Sequence, residues 1–278
     1  MIPILKIRKS MICLLFTLMM AGITQAQAPN PVTLQDAVGI YPEKKEKCGH
    51  TAMMELRRLT DPGFQARRQE IERHTHDYIR NPANRTGGVL TVPIVFHVVY
   101  ANAQQNVTDA QIQSQIDVLN KDFRRQNTDA GNTPAAFSSL AVDTEIEFCL
   151  ATRDPQGNAT TGITRTSTST AQIGNGAYYS TAQGGKDGWD PNSYLNIWVC
   201  EISSFGDILG FAWPPGTTSP QEDGVVIDYR FFGTIGVSAP FNGGRTTTHE
   251  VGHYLNLEHV WGPYGGCGDD DGVTDTPG

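Results

Sequence analysis

Three regimes of apolar and polar spacing follow one another along this chain. Met11 to Ile23 is an uncharged run of 13 residues, preceded by Lys6, Arg8 and Lys9 and followed by Ala26-Gln27-Ala28. A helix of that length falls short of the roughly 20 residues that cross a hydrocarbon core, so the pattern predicts a cleaved export signal over residues 1–28. From Pro29 to about Thr86, the leader, charge takes over. Within Phe64 to Ile79 the apolar spacing of Phe64, Ile71, Tyr78 and Ile79 is thin among dense Arg67, Arg68, Glu70, Glu72 and Arg73, and such a helix has little to bury by itself. Asn81-Pro82, Asn84 and Gly87-Gly88 then break the chain and set a domain boundary near residue 87.

The third regime is that of a packed domain. Val89 to Tyr100 is β-branched and apolar apart from a few positions such as Pro93 and His97, the composition of a strand buried on both faces. Thr108 and Asp109 start a helix whose Ile112, Ile116, Leu119 and Phe123 recur at spacings of 4, 3 and 4, so one face packs on a sheet. Further strands are expected at Glu145 to Ala151, Tyr194 to Cys200 and Gly224 to Tyr229, joined by long connections rich in Gly, Ser and Thr. A strand, a helix, more strands and a late helix predict an α/β sandwich whose loops carry function.

Composition narrows the partners. With 278 residues, 18% charged and 38% hydrophobic, the chain suits one domain plus appendages rather than a multi-pass membrane or disordered protein. Net charge is -8, and removing residues 1–28 with their three basic side chains leaves 18 basic against 29 acidic residues, or -11. No basic patch compensates, which argues against a nucleic-acid partner. Export would put Cys48, Cys149, Cys200 and Cys267 where disulfides persist, with three full pairings open. Cys149 and Cys200 either pair across neighbouring strands or stay as small buried apolar residues. His50, His74, His76 and His97 lack metal spacing and read as ordinary surface or core histidines, and the four tryptophans as packing anchors.

The candidate chemistry lies near the C-terminal end. His249-Glu250-Val251-Gly252-His253 places two imidazoles at i and i+4, on one helical face, with Glu250 beside the first as a general base for metal-bound water. His259 reaches the same ion only if the helix stops and turns sharply, and Asn256 suits the left-handed residue such a turn requires. Three histidines leave one zinc position open, the pattern of a catalytic site. Cys48, in Cys48-Gly49-His50, supplies a thiolate that can take that fourth position and enforce latency; a disulfide or an inert thiol is the alternative. Asp269, Asp270, Asp271 and Asp275, among glycines, form an acidic flexible loop that suits calcium or is simply solvated.

The stretch HEVGHYLNLEH at 249–259 resembles the metzincin clan of zinc proteases, whose pattern has Gly where Asn256 stands. GITR at 162–165, YLNIWVC at 194–200, DGVVID at 223–228 and the series from Cys267 to Pro277 are similar to the pappalysin group, and the similarity spans about residues 40–278. The resemblance implies a metzincin-like α/β fold with a twisted mixed sheet, a backing helix and an active-site helix. It also implies zinc on His249, His253 and His259, Glu250 as catalytic base, and calcium in the acidic loop. It gives Cys267 a disulfide partner further on. The function implied is a secreted zinc endopeptidase made as a zymogen, acting on protein or peptide substrates, monomeric, and free of membrane once the signal is removed. Its organisation would be signal 1–28, pro-segment 29–86 and catalytic domain 87–278, with activation by cleavage between about Arg57 and Arg85. Metzincins carry a methionine turn after the ligand motif, whereas Met54 is the last methionine here and only 19 residues follow His259. The expectation is therefore a C-terminal subdomain largely missing. The rival expectation is an inactive secreted remnant that binds zinc and calcium.

Overall fold

The computed structural model describes residues 47–81, 87–170, 172–203, 206, 208–262 and 269–273, all within one compact unit. The expected export signal, Cys267 and Asp275 lie outside the described residues. In the leader, α1 (His50–Thr60) and α2 (Phe64–Arg80) form a pair. As the thin apolar spacing of α2 predicts, Phe64 is its only buried residue. Polar contacts hold it instead, among them Arg67 with Asp61 and Arg68 with Glu258.

The sheet is organised around β1 (Leu90–Tyr100), whose residues from Ile94 to Val99 are all buried. Two short strands share one of its edges: β2 (Ile146–Leu150) runs beside Leu90–Ile94, and β3 (Ile163–Ser167) beside Phe96–Tyr100. Gly162 makes this exchange possible, since at φ +70 a Cβ there would stand 2.8 Å from the Ala151 amide nitrogen. On the other edge lies β4 (Leu195–Cys200), followed by β6 (Val225–Asp228) and, outermost, β5 (Gly210–Ala212). All pairings are parallel except that of β5 with β6.

Because side chains alternate along each strand, the sheet feeds two cores. Ile94, Phe96 and Val98 join Leu195, Ile197 and Val199 on the face covered by α3 (Asp109–Phe123). Thr108 caps that helix, its Oγ1 accepting from the Gln111 amide at 3.2 Å. Ile112, Ile116 and Leu119 bury as the 4-3-4 spacing requires, each worth about 1.5–3 kcal/mol of transfer free energy. On the opposite face Trp198, Phe211, Trp213 and Val226 pack with Tyr178 and with Met53 of α1. Trp198 and Trp213 are thus the expected anchors, but Trp261 is 46% exposed.

The cysteines correct one expectation. Cys149 is exposed on β2 and Cys200 buried on β4, each as a thiol. With β1 between their strands, about 10 Å of sheet separates them, too far for a disulfide to span. Cys149 is therefore neither paired with Cys200 nor buried.

Candidate metal centre

The late helix, α4 (Arg245–Tyr254), presents His249, Glu250 and His253, and three polar anchors fix its pose. Gln115, buried on the inner face of α3, accepts from Thr247 Oγ1 at 2.9 Å and donates to the Gly244 carbonyl at 3.0 Å. Asp122 accepts from Thr248 Oγ1 at 2.8 Å and pairs with Arg245 at 2.9 Å; burial raises its pKa. At the far end Tyr254 donates to Asp223 at 3.1 Å. With Val251 sunk into the core below, the two histidines are held on the opposite, outward side.

The helix ends where the turn argument requires. Asn256 adopts φ +69, and the Leu257 amide bonds back to the Gly252 carbonyl at 3.0 Å, so the chain reverses and returns His259 to the cluster. The Leu257 carbonyl accepts from His253 Nδ1 at 2.6 Å, which fixes that ring's proton and aims Nε2 at its neighbours. The three Nε2 atoms lie 3.1, 3.2 and 3.3 Å apart. Three ring nitrogens each meeting the other two at these distances cannot all be satisfied by linear hydrogen bonds. Ligands of a tetrahedral zinc at 2.0–2.1 Å stand about 3.3 Å from one another, so the donor set fits that ion.

Cys48 completes the group. Its Sγ lies with the three nitrogens inside one sphere of contact, all four ligand atoms within 4.8 Å of one another. The His50 amide donates to that sulfur at 3.3 Å, a contact that stabilises negative charge on it. Cys48 Sγ also faces Glu250 Oε2 at 3.6 Å. Burial pushes the Glu250 carboxyl up to about 8, and the contact with Cys48 opposes that rise. Glu250 fits beneath β5 because residue 210 is glycine: a Cβ there would stand 2.9 Å from Glu250 Cγ. The leader approaches the same strand from outside, with the Gly49 amide on the Gly210 carbonyl at 2.8 Å and the Leu209 amide on the Lys47 carbonyl at 2.7 Å. A cavity of about 450 Å³ opens beside these groups, walled by Lys47, Thr246, His249, Glu250, His259 and Trp261.

Other expected residues fall elsewhere. Asp270 and Asp271 turn onto their own backbone, accepting from the Gly272 amide at 2.6 Å and the Val273 amide at 3.0 Å. Among the described residues no metal-ligating group includes Asp269, Asp270 or Asp271. His50 is a core histidine, outside the ligand group but set against it. It is 1% exposed and stacks on the His253 ring with centroids 4.1 Å apart and planes 2° from parallel. Its Nδ1 meets the Ala212 carbonyl at 3.2 Å and its Nε2 lies 3.5 Å from Glu258. Arg68 adds a second tie, donating to Asn256 Oδ1 at 2.6 Å and Glu258 at 2.9 Å. No spacing in the sequence signals His50 or Arg68, since these partners lie 162 residues away or more.

A helix with histidines one turn apart, a left-handed reversal and a third histidine beside a sheet edge together define a metallopeptidase domain of the metzincin type. Comparison with known proteins agrees. Residues 179–278 match the family Peptidase M43, described as pregnancy-associated plasma protein-A. Mature mirolysin from Tannerella forsythia, solved with a cleaved peptide, is 49% identical over 69% of this chain and 73% of its own, with a TM-score of 0.65. A promirolysin mutant from the same organism is 45% identical over 84% of this chain and 76% of its own, with a TM-score of 0.73. Among curated relatives, an extracellular metalloprotease of Verticillium alfalfae is 34% identical over 68% of this chain, and one of Arthroderma benhamiae 29% over 70%. The chain spans 57% and 61% of the lengths of these two relatives. It belongs to peptidase family M43, the pappalysin-type metzincins.

Proposed function

We propose that this chain is the zymogen of a secreted zinc endopeptidase, with an export signal over 1–28, a pro-segment over 29–86 and a catalytic domain over 87–278. The observation that carries the proposal is the convergence of Cys48 with His249, His253 and His259. In this reading the three histidines hold zinc, and the Cys48 thiolate takes the fourth position until the leader is removed. The likeness to promirolysin extends over 84% of the chain against 69% for the mature form, which supports a pro-segment within the first third. Export is supported by relatives named extracellular metalloproteases. Among the described residues no helix is long and apolar enough to cross a membrane.

Zinc, when bound, polarises the carbonyl under attack and acidifies water. The chain supplies the rest. Departure of Lys47–Gly49 exposes the Leu209 amide and the Gly210 carbonyl, which can pair with an extended peptide at the edge of β5. Glu250, relieved of Cys48, takes the proton from the attacking water and returns it to the leaving amine. Its buried position beside His249 suits a group that takes a proton in one step and returns it in the next. Protein or peptide substrates follow from this chemistry, and the likeness to peptide-bound mirolysin supports them.

The test uses three full-length forms: wild type, Cys48→Ala, and Cys48→Ala with Glu250→Gln. Each is assayed for bound zinc and for cleavage of a quenched fluorescent peptide library. We expect about one zinc in each form, and cleavage only in Cys48→Ala, because removing a base of this kind costs at least 10²-fold. Equal cleavage with and without Glu250, or no bound zinc, would refute the proposal.

A further inference from the structure

His259 differs from the other two histidines of the metal group in how it is held. His249 and His253 ride on α4, whose pose Gln115, Asp122 and Asp223 fix, whereas His259 comes from the return loop beyond it. The χ2 torsion of a histidine is broad, so the backbone alone does not set the plane of the ring. A ring nitrogen offers its lone pair in that plane, and a turned ring carries the donor away from the ion. For His253 the Leu257 carbonyl restrains the plane through Nδ1 at 2.6 Å. The plane of His259 is met by an aromatic face.

Trp261 stacks on the His259 ring, with centroids 4.6 Å apart and planes 13° from parallel. The stack follows from a tight turn. The Gly262 amide donates to the His259 carbonyl at 2.7 Å, which brings residue 261 back against residue 259. Gly262 has φ +68, and a Cβ there would stand 2.5 Å from Asp269 Cγ, so glycine suits the closing position of this turn. Trp198 and Trp213 are completely buried, but Trp261 keeps 46% of its surface exposed while the His259 ring it covers keeps 5%. Core filling does not explain an indole that stands so far in solvent; the ring it covers does. Trp261 walls the cavity of about 450 Å³ beside Glu250 and a second of about 430 Å³ beside His253 and Leu257. The other stack laid on a ligand ring from outside the group, His50 on His253, comes from the leader. Trp261 belongs to the catalytic domain, so its contact outlasts removal of the leader.

We propose that Trp261 is a positioning residue of the metal centre: its indole face sets the plane of the His259 ring and so keeps Nε2 on the zinc. This rests on the peptidase reading above and extends it to a residue outside the ligand set. The requirement is for a flat aromatic face at position 261, and apolar bulk alone does not meet it. Partners that orient metal ligands from behind typically govern metal affinity by about 10–100-fold.

The test compares Trp261 with Trp261→Phe, Trp261→Leu and Trp261→Ala in the full-length Cys48→Ala, Glu250→Gln chain, where neither the thiolate nor self-cleavage disturbs metal exchange. Transfer of zinc to a chromogenic chelator gives the dissociation rate, and the visible absorption of the cobalt(II)-loaded forms reports ligand geometry. Zinc should leave the alanine and leucine forms at least about tenfold faster than the tryptophan form, with an altered cobalt spectrum. Phenylalanine should restore both, and the metal-free melting temperature should be the same in all four. Equal zinc retention throughout, leucine retaining zinc as well as phenylalanine, or a fall in metal-free melting that parallels the zinc loss overturns the proposal. Should the alanine form not fold, the leucine and phenylalanine forms, of similar bulk, decide it. Absence of zinc from the tryptophan form itself would overturn the peptidase reading and this inference together, an outcome distinct from equal retention.

Discussion

Acidification should weaken this fold through a residue remote from the metal centre. His97 sits mid-strand on β1, completely buried, with Nε2 3.0 Å from Asn196 Oδ1 and Nδ1 2.8 Å from Thr164 Oγ1. The Asn196 amide nitrogen donates to the Trp189 carbonyl at 2.9 Å, which turns its oxygen toward His97. Nε2 is then the donor, and Nδ1 accepts from the threonine hydroxyl. A neutral ring satisfies this pocket, and burial pushes its pKa from the ordinary 6.5 down to about 4. The sign follows directly. The unfolded chain takes up the proton first, so the stability contributed by burying the neutral ring is complete above about pH 6.5 and is lost as pH falls toward about 4. Roughly 2.5 pH units at 1.36 kcal/mol each give about 3 kcal/mol. Urea unfolding of wild type and His97→Gln across this range, in one chelating buffer, isolates the effect because the ligand histidines contribute equally to both. The stability difference should shift in favour of the glutamine variant by about 3 kcal/mol on acidification. Parallel curves would refute the assignment of a buried neutral ring.

Four other outcomes follow from contacts described above. Gly210→Ala puts a Cβ 2.9 Å from both Glu250 Cγ and the Val226 carbonyl, so it should cost about 1–3 kcal/mol in urea unfolding and displace the base. Asn256→Ala at φ +69 should lose about 1–2 kcal/mol and weaken zinc retention against a chelator. Asn256→Gly should keep zinc but lose the bond to Arg68, read as faster proteolysis of the leader. Zinc removal should lower the melting temperature in proportion to metal affinity, and Cys48→Ala should reduce that difference because one ligand is gone.

The long regular patterns were the legible part of the fold. β1 carries a long, mainly apolar run and α3 a clear 4-3-4 spacing, and Leu90–Tyr100 and Asp109–Phe123 fall close to the expected bounds. By contrast β5 is three residues, Gly-Phe-Ala, and β3 is the largely polar Ile-Thr-Arg-Thr-Ser; neither has the length to show a period. Strand pairing alone makes them strands. In the metal centre the i, i+4 histidines and the left-handed Asn256 could be read because they are local. His50 against His253, Arg57 against Glu222 and Gln115 beneath α4 could not be read. Each is an ordinary residue that becomes special only when chain segments over 100 residues apart are brought together.

The bridge between Cys48 and Gly210 has a consequence for the edge of the sheet. β5 is the outermost strand, and among the described residues its outer side is paired only with Lys47–Gly49. Unpaired strand edges invite other chains to add to them. Under the proposed processing, removal of the leader would bare this edge, so the leader would guard the sheet against self-association until then, apart from any hold on the metal. Light scattering before and after leader cleavage should register the loss of that guard as concentration-dependent association, which an excess of an extended peptide suppresses by occupying the bared edge.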